Sequence, residues 1–206
     1  MRGVGESRIG RPREFDDERV LGDAMGVFWR RGFRGATVEA LVERTGVSPQ
    51  SLYGAFGSKR ALFLRTLERY RKAGLAATRE ALDGGNTPAE GIRSYLEAQV
   101  VLACDGPLRR GCLMANTALE LLPGDSEVDA LVARNFAGLQ RALGDAVARA
   151  QTVGEIRKPP SARLVAWQLL ALVEGIYVLG RTIAADELTE LVNTSLADLA
   201  PSQPQI

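Results

Sequence analysis

The sequence predicts an all-α protein of about nine helices. Three observations carry this. Apolar residues recur at spacings of three and four along most of the 206 residues, Gly, Pro and cap-type residues punctuate these runs, and no stretch alternates apolar and polar residues with a period of two. Apolar residues make up 46% and charged residues 25% of the chain, the balance of a packed globular protein rather than a disordered one.

Residues 1–13 carry Arg2, Arg8, Arg11 and Arg13 among glycines without a hydrophobic period, and read as a flexible basic arm. Val20, Leu21, Ala24, Val27 and Phe28 then line one helical face. Asp16, Asp17 and Glu18 suit its positive end, Arg30 and Arg31 its negative end, and Gly32 is expected to stop it. Thr37 caps a short helix over 38–44, and Gly46 turns the chain. Ser48 then caps a second short helix with Pro49 at its first position, where a missing N–H costs nothing. Ser58 caps a long helix over 59–82.

After Gly84-Gly85-Asn86, Thr87, Pro88 and Glu90 form a capping box for a helix to about Ala103. Helices over 108–122, 126–153, 161–183 and 186–199 follow, separated by turns at Pro123-Gly124-Asp125 and Pro159-Pro160. The expected division is arm 1–13, helix-turn-helix unit 14–58, connecting helix 59–82, a helical domain 83–200 and a tail 201–206.

Net charge is +1, but it is unevenly placed. Residues 1–82 hold 16 Lys/Arg against 10 Asp/Glu, and residues 83–206 hold 10 against 15. A basic first third predicts a local anionic partner, nucleic acid foremost. There is no histidine, which excludes His-based metal sites and Ser-His or Cys-His catalysis. No enzyme activity, catalytic residue, metal or cofactor is therefore expected. Cys104 and Cys112 are too few for a disulfide framework. Residues 1–15 lack the apolar core of a signal peptide, and the apolar run 164–179 is interrupted by Gln168 and Glu174. A cytoplasmic protein without a membrane partner is expected.

Two short helices joined by a glycine turn are the arrangement that sets a helix into the major groove. Val47, Leu52 and Phe56 supply the buried face of the second helix, and Gln50, Ser51 and Tyr53 the polar face. The set Thr37, Val38, Leu41, Val42, Thr45, Gly46, Val47, Ser48, Leu52, Tyr53, Phe56, Ser58, Lys59 and Leu62, at its spacing, closely resembles the N-terminal domain of the TetR (tetracycline-repressor-like) family of bacterial transcriptional regulators. Gly10-Arg11-Pro12-Arg13 and Phe28-Trp29 with Gly32-Phe33 match a branch of it.

The resemblance covers residues 10–70 and implies a homodimer that binds double-stranded operator DNA. It also implies a C-terminal domain for dimerisation and for a small-molecule effector, usually one that relieves repression. The implied DNA-facing set is Arg11, Arg13, Thr37, Ser48, Pro49, Gln50, Ser51, Tyr53, Gly54 and Lys59. Gln50 is the expected base reader, while Thr37, Ser48, Tyr53 and Lys59 match phosphate-holding positions and the arginines a minor-groove arm. The chain departs from the pattern at Val42, often a small residue, and at Gly54 and Ala55, often large ones. Gly54 weakens its helix by roughly 1 kcal/mol relative to Ala.

Polar and aromatic residues embedded in the later apolar helices predict an effector pocket: Tyr95, Gln99, Cys112, Asn116, Phe136, Trp167, Glu174 and Tyr177. A carboxylate within an apolar helix needs a partner, and for Glu174 this is a cationic effector, Arg181 or Arg163. Leu164, Trp167, Leu170, Ala171, Glu174, Val178 and Arg181, with the stripe Leu188, Leu191, Val192, Ser195, Leu196 and Leu199, are the candidate dimer surface, and Gly175 and Gly180 permit close helix approach. Arg109-Arg110-Gly111-Cys112 places a thiol in a helix first turn beside cations, where the reactive thiolate is favoured. The same segment resembles family members that sense electrophiles or oxidants. Alternatives to the effector-released repressor are thus a thiol-sensing repressor acting through Cys112, or a helical small-molecule binder that has lost DNA binding.

Overall fold

The computed structural model describes residues 16–104 and 110–201. Arg11 and Arg13 of the expected arm, and Arg109, lie outside the described residues. Nine helices fill the described residues: α1 (Asp17–Gly35), α2 (Val38–Thr45), α3 (Pro49–Phe56), α4 (Lys59–Asp83), α5 (Pro88–Cys104), α6 (Leu113–Leu121), α7 (Ser126–Thr152), α8 (Ala162–Leu179) and α9 (Ala185–Ala197).

Local chemistry explains most boundaries. Thr37, Ser48 and Ser58 each accept a backbone N–H from the third residue on, capping α2, α3 and α4. At α5 the capping box is reciprocal: Thr87 Oγ1 accepts from the Glu90 N–H, and Glu90 Oε2 from the Thr87 N–H.

Three boundaries differ from expectation, one of them the end of α8, which stops at Leu179 with Gly180 as its C-cap rather than near 183. The first helix does not end at Gly32 but kinks there, at φ +70°, and resumes to Gly35. The resumed turn has its own helix start, and its free Phe33 and Arg34 N–H groups donate to the Glu120 carboxylate at 2.9 and 2.7 Å. The backbone angle calls for glycine, and a Cβ at position 32 would stand 2.5 Å from Glu120 Oε2 and push this carboxylate off the two N–H groups. The sixth helix starts at Leu113, not 108, because Cys112 is its extended N-cap.

Two hydrophobic cores form, and the expected division at residue 58 closes neither. Phe28 of α1, Leu41 of α2, Leu52 of α3 and Leu62, Phe63 and Leu67 of α4 form the first core, with Phe28 edge-on to Phe63 at 4.9 Å. Leu113 and Met114 of α6 and Val128 of α7 complete it. The end of α4 with α5, α7, α8 and α9 forms the second. Helix α4 therefore runs through both. Gly180 brings α8 against α5, since a Cβ there would stand 2.8 Å from that of Ala103, whereas Gly175 has nothing within 4 Å.

Among the described residues, α8 is long and apolar enough by composition to cross a membrane, with a mean hydropathy of 1.5. It is more apolar than expected because two opposite faces are apolar. Val165, Ala166, Leu169, Leu170, Val173 and Ile176 are buried in the second core, while Leu164, Trp167 and Val178 are exposed.

An ion pair fastens the start of α4 to the start of α7. Arg60 grips Asp125 with both guanidinium nitrogens and reaches Glu127 at 3.0 Å. Asp125 also caps α7, accepting from the Val128 N–H at 3.1 Å. Arg60 first, and that N–H second, hold the Asp125 carboxyl down at about 2, against an ordinary 3.8. A depressed carboxyl stabilises the fold above its unfolded value and loses that contribution as pH falls through the folded one. The stability gap between the wild type and Asp125→Asn is thus expected to be constant above about pH 5 and to close between 3.8 and about 2. Urea midpoints measured across that range check it.

Candidate functional site

The α2–α3 pair has the geometry of a groove-reading hairpin. Gly46 stands at φ +69°, ψ 15°, the left-handed turn that a side chain resists. Thr45 backs it from inside, its hydroxyl donating to the Leu41 carbonyl at 2.8 Å. Leu52 and Phe56 pin α3 to the first core. Arg19 donates to the Thr45 carbonyl, and Arg19 and Arg44 both pair with Asp23, which braces α2 on α1.

The outward edge of α3 presents Ser48, Pro49, Gln50 and Gly54 to solvent, with Ser51 and Tyr53 half-buried. Ser48 and Ser51 are joined by a 3.0 Å hydroxyl contact. Burial, then the charge of Glu39, pushes the Tyr53 phenol up, which keeps it a neutral donor. Lys59 sits at the first turn of α4 with Nζ 4.8 Å over the Phe33 ring, a cation–π contact that positions its charge beside α3. No atom lies within 4 Å of a Cβ built on Gly54, so its small size is not imposed by packing.

Behind this unit, α1, α4, α5, α7 and α8 enclose a cavity of about 420 Å³. Of the eight residues expected to line a pocket, Tyr95, Gln99, Cys112, Glu174 and Tyr177 meet there. The other three do not. Asn116 lines an adjoining groove and donates to the Arg110 carbonyl at 2.9 Å. Phe136 is packed between the two cores, and Trp167 points outward, 42% exposed. Sequence reasoning missed Met25, Trp29, Tyr70, Thr78 and Asn135, which also line the cavity.

Most polar groups of the cavity satisfy one another. Tyr177 donates to Gln99 Oε1 at 2.6 Å, and Gln99 Nε2 donates to the Tyr95 carbonyl at 3.0 Å. Tyr70 donates to Cys112 Sγ at 3.7 Å. Three groups are incompletely met, and the first is Arg69 Nε, which makes no hydrogen bond although Glu18 Oε2 stands 3.3 Å away. Asn135, 5% exposed, has an amide nitrogen with no partner. Glu174 accepts from the Cys112 thiol and faces none of the expected cations; burial raises its carboxyl, and the smaller effect of that hydrogen bond lowers it.

The thiolate expected at Cys112 is not what the structure holds. Cys112 is 4% exposed, and burial, then the charge of Glu174, pushes its thiol up to about 12. Arg110 lies over the Trp29 ring at 5.5 Å instead of beside the sulfur.

Trp29 belongs at once to α1 and to the cavity wall. Its indole N–H donates to the Gly111 carbonyl at 2.9 Å, and its ring meets Tyr70 edge-on at 5.1 Å. Besides the shared first core, three polar contacts tie α1 and the start of α4 to the later part of the chain: Trp29 on Gly111, Glu120 on the resumed turn of α1, and Arg60 on Asp125.

Residues 20–66 match the model of bacterial regulatory proteins of the tetR family, and residues 88–196 that of the tetracyclin repressor-like C-terminal domain. The chain is 30% identical over 196 residues to the HTH-type transcriptional regulator YezE of Bacillus subtilis (strain 168), itself uncharacterised, covering 93% of this chain and 100% of that one. It is 28% identical to the HTH-type transcriptional repressor ComR of Escherichia coli (strain K12), covering 94% and 92%. Among solved structures, a cysteine mutant of the TetR-family regulator CifR, complexed with a 26-base-pair operator DNA, superposes with a TM-score of 0.81 at 29% identity, covering 92% of this chain and 100% of that one.

Proposed function

The chain belongs to the TetR family of bacterial transcriptional regulators, and from that premise we propose that it is a homodimeric repressor released from its operator when a small molecule fills the 420 Å³ cavity. It binds and does no chemistry, and it works where bacterial DNA is, in the cytoplasm. The observation that carries the reading is Trp29, a residue of the DNA-facing unit that is also a wall of the cavity. Tyr70 and Thr78 of α4 line the same space, and the start of α4 packs under α3. A ligand that wedges Trp29 or α4 favours a domain placement in which two α3 helices no longer match half-sites about 34–36 Å apart. The operator held by CifR supports the DNA partner, and the repressor name of ComR supports the sign of regulation.

Gln50 is the proposed base reader and Lys59 a phosphate contact. Gln50→Ala is expected to weaken operator binding by about ten- to a hundredfold and to spare nonspecific DNA. Lys59→Ala is expected to weaken binding to all sequences and to lower the log–log salt slope by about 0.9. Footprinting upstream of the chain's own gene supplies the operator, and fluorescence polarisation across a salt series reads both effects. Unchanged affinity in both variants rejects the contact assignment.

A further inference from the structure

Resting on the reading of the cavity as the effector site, we infer that its ligand is a monocationic aromatic amine whose charge is met by Glu174. The cavity wall carries four aromatic residues, Trp29, Tyr70, Tyr95 and Tyr177, which suit a flat apolar body and attract a cation to their faces. Two of the three tyrosine hydroxyls do not compete for the ligand, since Tyr70 is spent on Cys112 and Tyr177 on Gln99. What the walls offer is one carboxylate, Glu174, which accepts from the Cys112 thiol and has no counter-charge, and on the α7 side one unpartnered buried donor, the Asn135 amide. Neither charge nor donor is left unpaired in a protein interior without cost. A ligand with a protonated nitrogen and a separate acceptor completes both.

Arg69 is the one cation among the lining residues. It lies on the α1 side, partly exposed, and its charge is already answered by Glu18, 3.3 Å from Nε, though without a hydrogen bond. An anion would also stand close to Glu174.

The titratable groups facing Glu174 are Cys112 beside α6, Tyr70 and Arg69 on α4, Tyr95 on α5 and Tyr177 on α8. Burial pushes Cys112, Tyr70, Tyr95 and Tyr177 up, so they stay neutral and Glu174 is the group that titrates. Burial raises it, and an ammonium beside it returns it downward. Amine binding therefore expels a proton and tightens as pH rises through the Glu174 titration.

The test uses three isosteres, 1-naphthalenemethylamine, 1-naphthalenemethanol and 1-naphthoic acid, with the full chain carrying Trp167→Phe, so that Trp29 is the fluorescent reporter. The amine is expected to bind about tenfold or more tighter than the alcohol, and the acid weakest. Glu174→Gln is expected to remove the amine's advantage and its pH dependence while leaving alcohol binding within about twofold, which also shows that the variant folds. Equal binding of amine and alcohol, preference for the acid, no binding by any probe, or an unchanged preference in Glu174→Gln overturns the inference. Operator release separates it from the reading beneath. If the alcohol or acid binds and releases DNA while the amine does not, the effector site stands and the amine class falls. If the amine binds through Glu174 and operator occupancy stays unchanged, the amine class stands and the effector reading falls.

Discussion

Replacing Trp167 and Val178 together by aspartate is expected to leave each chain folded, to make it monomeric, and to weaken operator binding by about 10²–10⁴-fold. The two side chains are 42% and 66% exposed, on the face of α8 opposite its buried one. Leu164 on α8 and Leu191 on α9 are exposed with them. Aspartate at such positions changes the stability of a lone chain by about 0.5 kcal/mol or less each. In a pair of chains packed through this face, each aspartate is buried without a counter-charge, which association does not survive. A two-fold operator is held by two recognition helices, and losing the second removes its effective concentration along with its contacts. Light scattering on the eluting peak reads the mass, and fluorescence polarisation with the footprinted DNA reads the affinity. A variant that remains dimeric moves the interface elsewhere.

The α2–α3 hairpin was readable from the sequence because each of its devices acts within four residues. Thr37 and Ser48 cap the residues directly after them, Pro49 occupies a first helical position, and Gly46 adopts its own turn. The cavity was readable only in part. Tyr95, Gln99, Glu174 and Tyr177 stood out as polar or aromatic residues inside apolar helices, and all four meet there. Trp29 did not, because it lies 82 residues from its partner Gly111 and its local pattern is that of a core residue. Nor did the continuation of α1 past Gly32, which depends on a carboxylate 87 residues away. One signal was available and unused. Tyr70, Ala73, Gly74, Ala77, Thr78 and Ala81 recur at three and four along α4, and they line the cavity together. Small residues on one face of a long helix leave room beneath it. Trp167 failed for the opposite reason. In a helix apolar on both sides, periodicity does not say which face meets the chain's own core and which a partner.

Cys112 is expected to react with iodoacetamide at pH 8 about a thousandfold more slowly than an unperturbed thiol. The thiolate is the nucleophile. A thiol at its ordinary 9.0 is about one-tenth ionised at pH 8, and one at about 12 only about one part in ten thousand. Three features of the fold act in the same direction. Cys112 is 4% exposed, its thiol sits against a carboxylate, and Arg110, which would have favoured the anion, is turned onto Trp29. The N-cap position works the other way, since the Ala115 N–H donates to Sγ at 3.5 Å, but burial is the larger effect. A Cys104→Ser variant isolates the signal, and mass spectrometry follows the adduct in folded and in urea-unfolded protein. Labelling that is slow when folded and ordinary when unfolded fits a thiol whose work is to hold Tyr70 and α6 in place. Adding Glu174→Gln removes the neighbouring charge and is expected to speed the folded reaction, which assigns part of the suppression to that carboxylate. A folded rate equal to that of a free thiol restores Cys112 as a chemical sensor and places the cavity's reactivity, rather than its shape, at the centre of regulation.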